Sequence, residues 1–184
     1  LKEGLFDTYK PDVAFGLHSW SSLNAGKVGY RSGPAMASAD QFEIIIKGQQ
    51  THGSRPWGGV DPIVVAAQTV MAVQTIASRQ VNVTKAPSII SFGVIEGGIR
   101  NNIIPDSVKL IGTIRNFDMG IRDQIHQKLK HTAVHIAKSA GAEAQVTIDL
   151  GYPVMVNDAE LTKATLPSLE AVVGKENLVE MDLV

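Results

Sequence analysis

The chain holds five histidines and no cysteine, so imidazoles are its first candidates for proton transfer and metal ligation. His131 and His135 stand four apart, a spacing at which two side chains on one helix face can chelate a metal. The apolar stripe of that segment runs elsewhere and no acidic residue lies between the two. Together with His126 they therefore read as an exposed helix face. His18 ends the run AFGLH and is followed by Ser19, Trp20 and a glycine-containing loop, the position where open α/β sheets present functional groups. On spacing alone it equally suits a hydrogen-bonded structural histidine, since a catalytic zinc takes three protein ligands. His52 lies in the polar, glycine-rich stretch GQQTHGSRPWGGVDP, a loop composition that often carries function. Asn102, in GGIRNNIIPD, could instead occupy a turn, and Arg115, in GTIRNF, could be a solvent-facing cross-strand partner. Taken together, His52, Asn102 and Arg115 offer a proton-bearing ring, a neutral donor or acceptor and a guanidinium suited to a carboxylate. That is the set needed to recognise an acyl-amino acid.

The elements that must position these residues follow from periodicity. Asp40 to Lys47 alternates Phe42, Ile44 and Ile46 toward one face, the pattern of a strand ended by Gly48. Asp61 before Pro62 is a helix start, and Ile63, Ala66, Ala67, Val70, Gln74 and Ala77 follow at helical spacing to about Arg79. Ser88 to Ile95 and Ser107 to Phe117 read as strands. Asp118 caps a second helix with Ile121, Ile125, Leu129, Ala133, Ile136, Ala137 and Ala140 in one stripe, and Gly141 marks its exit before a last strand from Ala144 to Leu150. The order βαββαβ over residues 38–152 gives an α+β class, a ferredoxin-like two-layer sandwich with two helices on one face of an antiparallel sheet. Its open edges make a homodimer the expected assembly.

The flanks, 1–37 and 153–184, behave differently. Asp12 to Leu17 and Leu178 to Val184 look like strands with nothing adjacent to cover them, and the segment 157–174 reads as a helix that Pro167 kinks or restarts. They want a partner domain to cover them, and an apolar strand ending at Val184 suggests an excerpt of a longer chain. With 44% hydrophobic and 19% charged residues and a net charge of -1, the sequence has neither the basic field for nucleic acid nor an apolar run for a membrane span. The lack of cysteine and of an opening signal peptide makes the cytoplasm the expected address.

Five ordered motifs resemble the metal-dependent amidohydrolase and metallopeptidase family of hippurate hydrolase, N-acyl-amino-acid amidohydrolases and indoleacetyl-amino-acid hydrolases. They are FGLH at Phe15–His18, GPAMASAD at Gly33–Asp40, THGSRPWGGVDPI at Thr51–Ile63, NNIIPD at Asn101–Asp106 and GTIRNF at Gly112–Phe117. The resemblance implies a two-metal catalytic domain interrupted by a βαββαβ lid that also dimerises, with 1–37 and 153–184 as pieces of an incomplete α/β catalytic domain, and hydrolysis of N-acyl amino acids. It assigns His18 to metal binding, His52 to the oxyanion in the partner subunit's site, and Asn102 and Arg115 to the substrate's carbonyl or carboxylate. Zinc, manganese, cobalt or nickel would suit such a metal pair, in the complete enzyme and not stably in this chain. Trp57 stands where many relatives carry a second histidine, and Gln49 and Gln50 replace usual glycines, departures that bear on substrate preference. The competing expectation is a non-catalytic amino-acid-binding or dimerisation module of the same fold.

Overall fold

The computed structural model describes residues 3–183. In chain order the elements are α1 (Leu5–Thr8), β1 (Val28–Tyr30), β2 (Gly33–Met36), β3 (Ser38–Lys47), β4 (Thr51–His52), α2 (Pro62–Thr75) and β5 (Ser88–Glu96). They continue with β6 (Ile103–Ile104), β7 (Ser107–Asn116), α3 (Met119–Ser139), β8 (Glu143–Asp149), β9 (Met155–Asn157), α4 (Ala159–Val173) and β10 (Leu178–Glu180).

A mixed α/β unit dominates: β5, β7, β3 and β8 form one antiparallel sheet in that order. Alternation decides its faces. Phe42, Ile44 and Ile46 of β3 and Val108, Leu110 and Ile114 of β7 are buried in one cluster with Val65 and Val73 of α2, Ile76 just beyond it, and Ile121, Ile125, Leu129 and Ala133 of α3. Both helices therefore cover one side of the sheet, and the other side stays open. Gly112 belongs to this packing, lying directly across β3 from Phe42, whose ring makes an edge-on contact with Phe92 at 5.1 Å.

Both helices start where their caps allow. Asp61 accepts from the backbone N–H groups of Ile63 and Val64, with Pro62 at the first position, and Asp118 accepts from Ile121. The buried face of α2 differs from the sequence expectation: Val65, Ala66, Thr69 and Val73 point inward, while Ile63 and Ala67 are exposed. Residues 63–67 are apolar all the way round, so periodicity there does not single out one face. The helix ends in a π-helical turn over Ile76–Gln80.

The flanks are also corrected. Asp12 to Leu17 forms no strand and is exposed, with Leu17 97% accessible, because extended backbone needs a ladder partner and none of the described residues supplies one. Leu178–Glu180 does form a strand, pairing in parallel with β1, whereas Val184 lies outside the described residues. The helix expected between Asn157 and Gly174 is α4, capped by Asp158 and continuous across Pro167 rather than restarted. β2 pairs with β9, and Arg31 ties these strips together, donating to the carbonyls of Pro34 and Met181 while Asn157 donates to its own carbonyl.

Candidate functional site

Two short strands build the loop that carries His52. β4 pairs with β6, placing Thr51 opposite Ile104 and His52 opposite Ile103. The Gly53 N–H then donates to the Asn102 carbonyl at 2.7 Å, so the polar loops containing His52 and Asn102, 50 positions apart in sequence, are one structural unit. Glycine is needed at 59, where a Cβ would meet the Gln49 carbonyl oxygen at 2.3 Å, and a Cβ at Gly53 would crowd the Asn102 carbonyl oxygen at 3.1 Å. Trp57 sits in the following turn and is 81% exposed.

The His52 ring is exposed, and its Nδ1 accepts from the Ser54 backbone N–H at 3.1 Å and lies 2.7 Å from the Ser54 hydroxyl. A backbone N–H can only donate, so Nδ1 presents its lone pair and the proton of the neutral ring resides on Nε2. Nε2 has no hydrogen-bond partner among the described residues. The loop thus offers an outward N–H donor, which suits an oxygen that gains negative charge.

Arg115 is not beside this donor. It lies on the open face of β7, in a row with Ala39 of β3 and Ile89 of β5. Eight extended residues separate it from Ser107 at the base of the loop pair, about 26 Å at roughly 3.3 Å per residue. His52 and Asn102 are therefore at one end of the sheet and Arg115 at the other. Its Nη1 donates to the Ile114 carbonyl at 3.1 Å, and none of the ion pairs among the described residues uses it.

His18 lies on exposed coil, its Nδ1 against the Ser19 carbonyl and its ring 5.4 Å from Trp20. No group of three or more histidine or acidic side chains placed to hold a metal exists among the described residues. This stretch of chain does not by itself fit a metal pair.

A buried charged cluster escaped the sequence reading. Asp40 is fully buried and receives Nε of Arg122 at 2.7 Å, a second guanidinium nitrogen, Nε2 of His126 at 2.9 Å and the Gly151 N–H at 3.0 Å. Burial opposes its ionisation, but the hydrogen bonds from Arg122, Gly151 and His126 outweigh that and hold the carboxyl below its usual range. His126 is therefore no part of an exposed helix face, which corrects the expectation for that residue. His131 and His135 are exposed, with stacked rings 3.9 Å apart. The cluster sits where the chain enters and leaves the sheet, since the Ala39 N–H donates to the Tyr152 carbonyl alongside it.

The peptidase dimerisation domain family matches residues 37–141, more than half of the chain, and the chain belongs to it. N-acetyl-L-cysteine deacetylase of Bacillus subtilis (strain 168) is 38% identical over 151 residues, 82% of this chain and 36% of that protein. The N-acyl-L-amino acid amidohydrolase of Geobacillus stearothermophilus is 36% identical over 146 residues, 79% and 39% of the two chains. Among solved structures, the Bacillus subtilis YXEP protein, described as a dinuclear metal binding peptidase from the M20 family, is 26% identical with a TM-score of 0.67, covering 91% of this chain and 40% of that one. The chain spans about two fifths of the length of the relatives it matches. The resemblance read from the five ordered motifs thus stands. No helix among the described residues is long and apolar enough to cross a membrane.

Proposed function

We propose that this chain is the lid and dimerisation portion of a metal-dependent amidohydrolase that cleaves N-acyl amino acids. Residues 38–152 are the lid, a ferredoxin-like sandwich, and 1–37 and 153–184 belong to the catalytic domain. Water adds to the amide carbonyl, the C–N bond breaks, and a carboxylate and a free amino acid leave. His52 donates from Nε2 to the oxygen that becomes anionic, Asn102 holds the same substrate, and Arg115 takes the substrate carboxylate bidentately. His18 supplies one metal ligand; the remaining ligands come from parts of the protein beyond this chain. The bound metals would supply Lewis acidity, and carboxylate and imidazole ligands would suit zinc, manganese, cobalt or nickel.

The observation that carries this reading is the separation of the two halves of the site along the sheet. One chain does not bring His52 to its own Arg115, but two copies joined by the lid can. The β5 edge favours such pairing, exposing Val94 and Ile95, and the adjoining outer face of α2 exposes Ile63, Val64 and Met71. The opposite edge, β8, alternates with the polar residues Glu143, Gln145, Thr147 and Asp149. The proposed assembly is thus a homodimer through β5 and α2, each copy lending its His52 loop to the other's site. The test is hydrolysis of N-acetyl amino acids by the metal-loaded full-length protein and its His52→Ala variant. The expected loss in kcat is about 10²- to 10³-fold, that of one oxyanion donor; an unchanged kcat would remove His52 from the mechanism.

A further inference from the structure

His131 and His135 stand one turn apart on α3, both exposed, with their rings stacked at a centroid distance of 3.9 Å and an interplanar angle of 29°. The sequence places no acidic residue between them to orient an imidazole toward a metal, but the fold supplies another acceptor. Nδ1 of His135 lies 2.8 Å from the His131 carbonyl oxygen. A carbonyl can only accept, so Nδ1 carries the proton and the neutral ring keeps its lone pair on Nε2. A backbone carbonyl holding the second ring nitrogen is a common support of a metal-bound histidine. Two nitrogens bound about 2.0 Å from one ion, at neighbouring corners of a square, stand roughly 3 Å apart. Rings already in contact across one helical turn reach that spacing by side-chain rotation, with no movement of the backbone. Both ligands belong to one helix, so the geometry of the pair depends on no other part of the protein.

The surroundings bear on which ion fits. His131 borders a polar cleft of about 450 Å³ with Gln80, Gln127, Lys128 and Thr132. Gln127 precedes His131 by one turn and offers an amide oxygen, and no carboxylate lies among these neighbours. Lys128 and Lys138 each stand three positions from a histidine, so no negative field gathers hard ions such as magnesium or calcium, which take oxygen ligands. The attraction left is that of neutral imidazole nitrogen for a transition metal, which rises from cobalt through nickel to copper and falls again at zinc.

We propose that His131 and His135 form a surface chelate for one nitrogen-seeking divalent ion, copper(II) ahead of nickel(II), with water or the Gln127 amide oxygen in the remaining positions.

The sample for the test is this chain, whose sheet and helices bury a core of their own. Copper(II), nickel(II) and magnesium are titrated calorimetrically in a weakly coordinating buffer. NMR of the five histidine rings is recorded in parallel with a small fraction of an equivalent of copper(II), whose paramagnetism broadens the rings that bind it. Copper(II) is expected to bind at one equivalent, nickel(II) more weakly and magnesium not at all, with the His131 and His135 signals broadened first. His131→Ala and His135→Ala should each weaken copper(II) binding about tenfold or more, because either loss removes the high local concentration of the second ligand. The double variant should bind little more weakly than either single one, since the chelate is already gone. Both side chains are exposed, so the variants keep the fold, which circular dichroism checks. Single-variant affinities within about twofold of the parent would overturn the proposal. Broadening shared evenly with His18 and His52, the pattern of an adventitious ion only, would overturn it as well.

Discussion

Replacing Arg122 with methionine removes the strongest support of a carboxylate that has no access to water. Asp40 is 0% exposed and the Arg122 side chain 8%, so the variant strands a buried charge with only His126 and the Gly151 N–H as partners. Breaking a buried pair by deleting one member costs about 3 to 5 kcal/mol, largely the desolvation of the survivor. With a urea dependence of roughly 2 kcal/mol per molar, the unfolding midpoint should fall by about 2 M. The assay is urea unfolding of this chain followed by far-ultraviolet circular dichroism, with Asp40→Leu/Arg122→Met in parallel. Removing both charges should recover most of the loss, since an apolar pair of similar volume often matches a buried ion pair. A single-variant midpoint within about 0.3 M of the parent, on the same urea scale, would refute the claim that Arg122 neutralises Asp40 in the folded chain.

The same cluster sets an acid limit. The carboxyl of Asp40 titrates lower folded than unfolded, so its contribution is complete above the ordinary carboxylate value, about 4, and is lost as pH falls through the folded value. Unfolding midpoints from pH 7 to pH 2 should drop more for the parent than for Asp40→Leu/Arg122→Met; parallel profiles would contradict this. Nitrogen-15 NMR of the histidine rings should find the neutral His52 proton on Nε2. Ser54→Ala, which retains the backbone N–H, should keep it there, and a ring protonated on Nδ1 would contradict the donor role.

Long alternating runs made the central unit legible. Phe42, Ile44 and Ile46 repeat with the period of a strand, and Asp61 before Pro62 and Asp118 before α3 are caps whose chemistry is local. Three-residue strands such as β1 and β10 are too short for periodicity and exist only because a partner about 150 residues away supplies a ladder. The same limit hid the Asp40 cluster: its partners Arg122 and His126 lie 82 and 86 residues on, and nothing nearby in sequence distinguishes a buried charge from a solvated one. His126 looked like part of an exposed histidine face because its one informative contact is to Asp40, on a strand 86 residues earlier in the chain. For the candidate site, motif order pointed to His52, Asn102 and Arg115, but composition gave no distance between them. That Asn102 lies beside the short ladder that holds His52 and Arg115 stands a strand's length away emerges only from register.

That separation makes subunit mixing the most direct test. Full-length His52→Ala and Arg115→Ala proteins, each nearly inactive alone, are combined in equal amounts, dissociated and allowed to reassociate. If each site takes His52 from one copy and Arg115 from the other, half of the dimers are mixed, each mixed dimer holds one intact site of two, and activity should return to about one quarter of the parent's. If both residues served the same copy's site, every site would carry one lesion. Activity would then stay at the level of the separate variants, and the shared-site account would be wrong.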